Sequence, residues 1–190
     1  PCRSTMPADH FSHVIGLDDA PFPREHRGDV LLVGTAYAGL RLEGILSTRV
    51  RRDGANAARA VATLVQGSRF ASHTKLLLFQ GIAVAGFNVI DIHGLRASLG
   101  IPVLVVARKA PSLPAIRAAL LGRVPGGAKK WALIERAGAM EPCGGLMVQR
   151  AGIGLDDAAQ VIARLAVNGN IPEPLRVAHL VAGGVTTGQS

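Results

Sequence analysis

Residues 13–22 (HVIGLDDAPF) constrain this chain more than any other stretch, because an apolar run stops there at two adjacent carboxylates. Val14, Ile15 and Leu17 predict a short buried strand, and Pro21 and Pro23 end its pairing. The strand therefore terminates at Asp18 and Asp19. Successive strand residues point to opposite faces, so the two carboxylates part company, and Asp18 is the one expected to meet a ligand. Carboxylate oxygens at the tip of a central strand suit Mg2+ or Mn2+. A solvated Asp-Asp turn ahead of proline is the plainer use of the same residues.

Two more strands are expected over 29–42 and 45–53, with reversals near Gly39 and Gly44, most simply as an antiparallel meander. Ala57, Ala60, Val61, Leu64 and Val65 recur at helical spacing and predict a helix over 55–66 with Asn56 as its N-cap. Asp53 and Gly54 form the strand-to-helix corner, either as a simple turn or with Asp53 as a second acidic ligand. The unbroken apolar runs at 75–81 and 101–107 are buried strands, separated by a glycine-punctuated loop over 81–88 and a helix over 92–99 that Asp91 starts. Strand, helix and strand in that order imply parallel pairing through a right-handed crossover, whose carboxyl-end loops are the usual ligand face.

Further helices are expected at 113–121, 129–139 and 155–167, with a final short strand at 145–149. A terminal helix opens at Pro172 and Pro174, and Arg176 and His179, three residues apart, share one of its faces. His179 suits a proton shuttle beside a metal centre, or equally a plain surface imidazole.

Twenty-one Lys and Arg against thirteen Asp and Glu leave a formal charge of +8, which favours a polyanionic partner. Aromatic residues make up only 4%, so stacking of bases on exposed rings is not the expected binding mode. Cys2 and Cys143 match neither a metal spacing nor a disulfide framework, which points to an intracellular, cytoplasmic protein. No run reaches the roughly 18 apolar residues of a membrane span. A single domain is expected over 13–190, behind a disordered leader at 1–12.

Four blocks of the chain resemble the archaeal and bacterial family called endonuclease dU, a distant relative of endonuclease V. They are 14–22 (VIGLDDAPF), 42–50 (LEGILSTRV) with Asp53-Gly54, 80–91 (QGIAVAGFNVID) and 169–180 (GNIPEPLRVAHL), the last including Glu173. The resemblance implies an α/β, ribonuclease H-like mixed sheet, with three antiparallel strands followed by parallel ones and helices on both faces. It implies an endonuclease that uses Mg2+ or Mn2+ on nucleic acid, with deaminated bases such as uracil in DNA as its targets. In the endonuclease V relatives one Asp lies on the first strand, an acidic residue precedes the first helix, and an Asp precedes a Gly on the fourth strand. Asp18 fits the first place and Asp53 the second. The third is Gln80, which departs from the pattern because an amide offers a carbonyl oxygen but no charge.

The resulting expectation is a metal-dependent nucleic-acid phosphodiesterase. Asp18 and Asp53 would hold the cation, with Asp19 and Asp91 as substitute or supporting ligands and His179 as general acid. Arg49, Arg108, Lys109 and Arg176 would meet phosphates of DNA or RNA. Gly81, Gly86 and Asn88 would let the backbone approach an unstacked base. The rival expectation is a module of the same fold that binds nucleic acid or nucleotide without cutting it, having lost a carboxylate at Gln80.

Overall fold

In the computed structural model, which describes residues 8–190, three strands open the chain: β1 (His13–Asp19), β2 (Asp29–Ala38) and β3 (Arg41–Arg51). They pair antiparallel as a meander, with the reversal at Gly39, while Gly44 lies inside β3. After α1 (Ala57–Gln66), the apolar β4 (Leu76–Gln80) pairs parallel with β1. A two-stranded finger, β5 (Ala83–Val84) with β6 (Asn88–Val89), then leads into α2 (Ile92–Leu99) and β7 (Val103–Ala107), which is parallel to β4. The chain continues through α3 (Leu113–Arg123), α4 (Gly127–Ala137), β8 (Glu141–Cys143), β9 (Leu146–Ala151), α5 (Leu155–Leu165) and α6 (Glu173–Thr187). The sheet order is β3-β2-β1-β4-β7-β9-β8.

The alternation within β1 builds two cores. Ile15 and Leu17, with Leu77, Phe79, Val103 and Val105, pack on one face under α1 and α2. Val14, with Leu76, Leu78, Leu104 and Val106, packs on the other under α5 and α6. Burial on both faces explains why β4 and β7 are continuous apolar runs.

Helix α6 crosses β1 at very short range. A Cβ on Gly16 would lie 2.5 Å from the Pro174 carbonyl carbon, so glycine is what lets helix and strand touch. The buried Thr35 hydroxyl donates to the Pro174 carbonyl at 2.6 Å. That carbonyl belongs to the first turn of α6, so the bond fixes where the helix lies along the sheet.

Several local expectations change. Strand β9 runs antiparallel to β7 and is capped at the edge by β8, a three-residue strand containing Pro142. Proline is tolerated there because an edge strand leaves one side unpaired. Asn56 stands before α1 but makes no capping bond; its Oδ1 instead accepts from the Arg51 amide and the Asn88 side chain. Residues 1–7 of the expected leader lie outside the described residues. Ala8–Phe11 forms a 3-10 turn that is tied down, with Phe11 buried and its carbonyl accepting from Arg164. Among the described residues no helix is long and apolar enough to cross a membrane.

Candidate functional site

The carboxyl ends of β1 and β4 lie side by side. Leu17 pairs with Phe79, so the next residues on each strand, Asp18 and Gln80, are neighbours on the α6 side of the sheet. Asp18 is 6% exposed, and its Oδ2 lies 2.9 Å from Nδ1 of His179, one turn and a half into α6. Its Oδ1 accepts from the Asp19 amide at 3.1 Å. Burial lifts the Asp18 carboxyl from 3.8 to about 6; the bond from His179 opposes the rise and the nearby charge of Asp19 adds to it.

His179 opens onto a cavity of about 540 Å³. Gln80, Arg108 and Arg176 share its wall with Asn168, Asn170 and the turn at Gly145-Leu146. Arg108 follows the last residue of β7, so the cavity spans the carboxyl ends of two parallel strands. Arg176 is oriented by Glu173, whose two carboxylate oxygens accept from its guanidinium at 2.8 and 2.5 Å. The Arg176 side chain holds the Glu173 carboxyl below the usual range.

The other predicted residues go elsewhere. Asp19 points to the opposite face, as the two-residue period requires, and its Oδ2 accepts from the Ala85 amide at 3.0 Å. Burial raises its carboxyl too, against the pull of that amide. Asp53 reaches the same finger and not Asp18. Its Oδ1 accepts from the Phe87 amide at 2.8 Å, its own amide donates to the Ala85 carbonyl, and Lys130 Nζ donates to its carbonyl at 2.5 Å. Asp91 caps α2 through the Gly94 amide and pairs with Arg136, in a groove between α1 and α2 on the side of the sheet away from Asp18. The expectation that it supplies a missing ligand is thereby corrected: its position serves a helix start.

Asn88 is fully buried, with its amide spent on Arg51, Asn56 and the Ala57 amide, so it is unavailable to a base. Gly81 continues the β4–β7 pairing through its amide, and Gly86 is exposed at the tip of the finger. Arg49 lines a separate groove with Phe22, Pro23 and His26, and Lys109 is exposed just beyond Arg108. Asn168 and Asn170, which also line the cavity, had no role assigned from sequence, although Asn170 falls within the 169–180 block of the family resemblance.

The donor chemistry around Asp18 fits one hard divalent cation. A buried carboxylate held at about 6 gains from a positive neighbour, and Gln80 offers a neutral oxygen beside it. Mg2+ is typically held by one or two carboxylates, with water and substrate phosphate completing its shell. No group of three or more metal-binding side chains occurs among the described residues, so water and substrate oxygens would fill most of the shell of such an ion.

A UPF0215 protein of Deinococcus radiodurans is 58% identical over 180 residues, covering 95% of this chain and 92% of that protein. A solved protein of unknown function from Archaeoglobus fulgidus superposes with a TM-score of 0.85 at 29% identity, over 92% of this chain and 98% of that one. Endonuclease V of Ciona intestinalis, solved with an inosine-containing 24mer DNA, superposes with a TM-score of 0.56 at 12% identity, covering 88% and 82%. That likeness places the sheet in the ribonuclease H-like class to which the Asp18 block pointed. The family model described as Endonuclease dU matches residues 10–186, and the chain belongs to that family.

Proposed function

We propose that the protein is a nucleic-acid phosphodiesterase, assisted by one divalent cation, that cuts beside deaminated bases such as uracil in DNA. The observation that carries this reading is the Asp18–His179 pair opening onto a cavity that Arg108 and Arg176 also line. The family name and the shared endonuclease V fold support it.

Each residue then has a task. Ionised Asp18 accepts from Nδ1–H of His179, which selects the tautomer whose Nε2 carries a lone pair. Nε2 can therefore take a proton from an attacking water, or, once protonated, give one to the departing sugar oxygen. Arg108 and Arg176 bind the phosphate oxygens, with Arg176 held in place by Glu173. Asp18 and Gln80 would hold Mg2+ or Mn2+, whose contribution when bound is to stabilise charge building on the phosphate. With Arg excess spread over a +8 chain, the flanking strand is retained by phosphate contacts that carry no sequence information.

The neutral Gln80 favours a second reading, in which the same cleft binds nucleic acid without cutting it. One experiment separates the two. The protein is incubated with uracil-, inosine- and abasic-containing DNA, and with RNA, with Mg2+ or Mn2+, beside an Asp18→Ala control. Metal-dependent nicking that disappears in the variant supports the phosphodiesterase; salt-sensitive binding with no nicking supports the module.

A further inference from the structure

Two of the carboxylates expected at the cation grip one short segment of backbone. The finger between β5 and β6 turns at Ala85 and Gly86, both in the left-handed region, with φ of 48° and 81°. Alanine rarely adopts that conformation, so surrounding structure must impose it. The imposing groups are visible. Asp19, from the tip of β1, accepts the Ala85 amide. Asp53, from the end of β3, accepts the Phe87 amide and donates its own amide to the Ala85 carbonyl. Asp53 is itself left-handed, with φ of 50°, and the buried Lys130 donates to its carbonyl.

The clamp is closely fitted. A Cβ on Gly86 would lie 2.5 Å from Oδ1 of Asp53, so a side chain at that position would collide with the gripping carboxylate. Asn88 locks the base of the finger to the β3–α1 corner through Arg51, Asn56 and Ala57. Gly86 alone of residues 84–90 is exposed. The segment also begins at Gly81, directly after Gln80 in the cavity wall. Holding the finger therefore holds the exit of β4 beside Asp18.

We propose that Asp19 and Asp53 are positioning residues which clamp the 81–88 finger so that its exposed Gly86 tip presents backbone to a nucleic-acid strand lying across the carboxyl edge of the sheet. This rests on the reading of the cleft as a nucleic-acid site. Two negative side chains would repel a phosphate if they faced it. Here each has one oxygen turned onto a backbone amide and the other oxygen of Asp53 is paired with Arg52 at 3.3 Å, while the tip itself is uncharged glycine backbone that a strand can approach closely.

The test compares Asp19→Ala, Asp19→Asn, Asp53→Ala, Asp53→Asn and Gly86→Ala in the full chain. Hydrogen exchange of the Ala85 and Phe87 amides reports the clamp. Binding of a fluorescent single-stranded oligonucleotide in EDTA reports the contact without any cation. The alanine variants and Gly86→Ala should unprotect both amides and weaken binding by about tenfold or more. The asparagine variants, which keep an accepting oxygen, should restore both. The clamp is refuted if the asparagine variants are as impaired as alanine with the amides still protected, since the charge would then be what matters. It is refuted equally if the alanine variants free the amides and binding stays unchanged. Failure of the phosphodiesterase reading looks different: the unaltered protein then shows no nicking with Mg2+ or Mn2+, whatever the exchange pattern.

Discussion

Nδ1 of His179 meets Oδ2 of Asp18 at 2.9 Å across 161 positions of sequence, and the Asp18 side chain of that pair is only 8% exposed. A carboxylate lifted from 3.8 to about 6 costs the folded state about 3 kcal/mol at neutral pH. Burial thus makes this carboxylate a group that opposes folding at neutral pH, the pattern expected if Asp18 has the role proposed above.

Asp18→Asn should abolish nicking and at the same time stabilise the fold. The amide oxygen can still accept from His179 while the buried charge is gone. Thermal unfolding at pH 7 should show Tm raised by about 6–12 °C. The sign with pH follows from a raised carboxyl: its penalty is full above about 6 and fades as pH falls toward 3.8, where both states are protonated. The gap in stability between the variant and the unaltered protein should therefore narrow over that interval. An equal Tm at pH 7 would contradict the assignment.

Gly16→Ala should separate α6 from β1. The added Cβ meets the Pro174 backbone at 2.5 Å, where no flexible side chain can yield. A loss of about 1–3 kcal/mol in urea unfolding is expected. Activity should fall further than stability, because His179 rides on the displaced helix.

Thr35→Val keeps the shape but removes the donor to the Pro174 carbonyl. That oxygen then keeps only the bond it accepts within the α6 ladder, at a cost of about 1 kcal/mol by denaturant titration.

Arg108→Gln should weaken oligonucleotide binding uniformly across sequences. The slope of log K against log salt should fall by about one, read by fluorescence titration from low to high salt.

Asp91→Asn tests the helix-start role. Burial raises the Asp91 carboxyl, but Arg136 and the Gly94 amide outweigh it and leave the group below 3.8. Its stabilising effect is therefore present above 3.8 and lost as pH falls through the lowered value. Calorimetry should find the variant less stable at pH 7, with nicking unaffected.

Much of the architecture was legible because burial dictates pattern. The unbroken apolar runs of β4 and β7 announced strands covered on both faces, and the alternation in β1 foretold that Asp18 and Asp19 would diverge. Strand β8 was not legible, because three residues around Pro142 have no period. For the site, side-chain type was readable but partnership was not. Asp53 resembles a ligand in sequence, yet what it does depends on the Phe87 amide 34 residues away. Asp91 resembles one too, but Arg136 on α4 claims it. Nothing local distinguishes these acids from Asp18; only the tertiary fold does.

Helix α6 brings His179 to Asp18 and follows every strand in chain order. On the ribosome, β1 therefore emerges long before its imidazole partner, and the nascent sheet carries Asp18 without the side chain that will meet it. The buried carboxyl therefore gains its partner only when the last helix docks over Gly16.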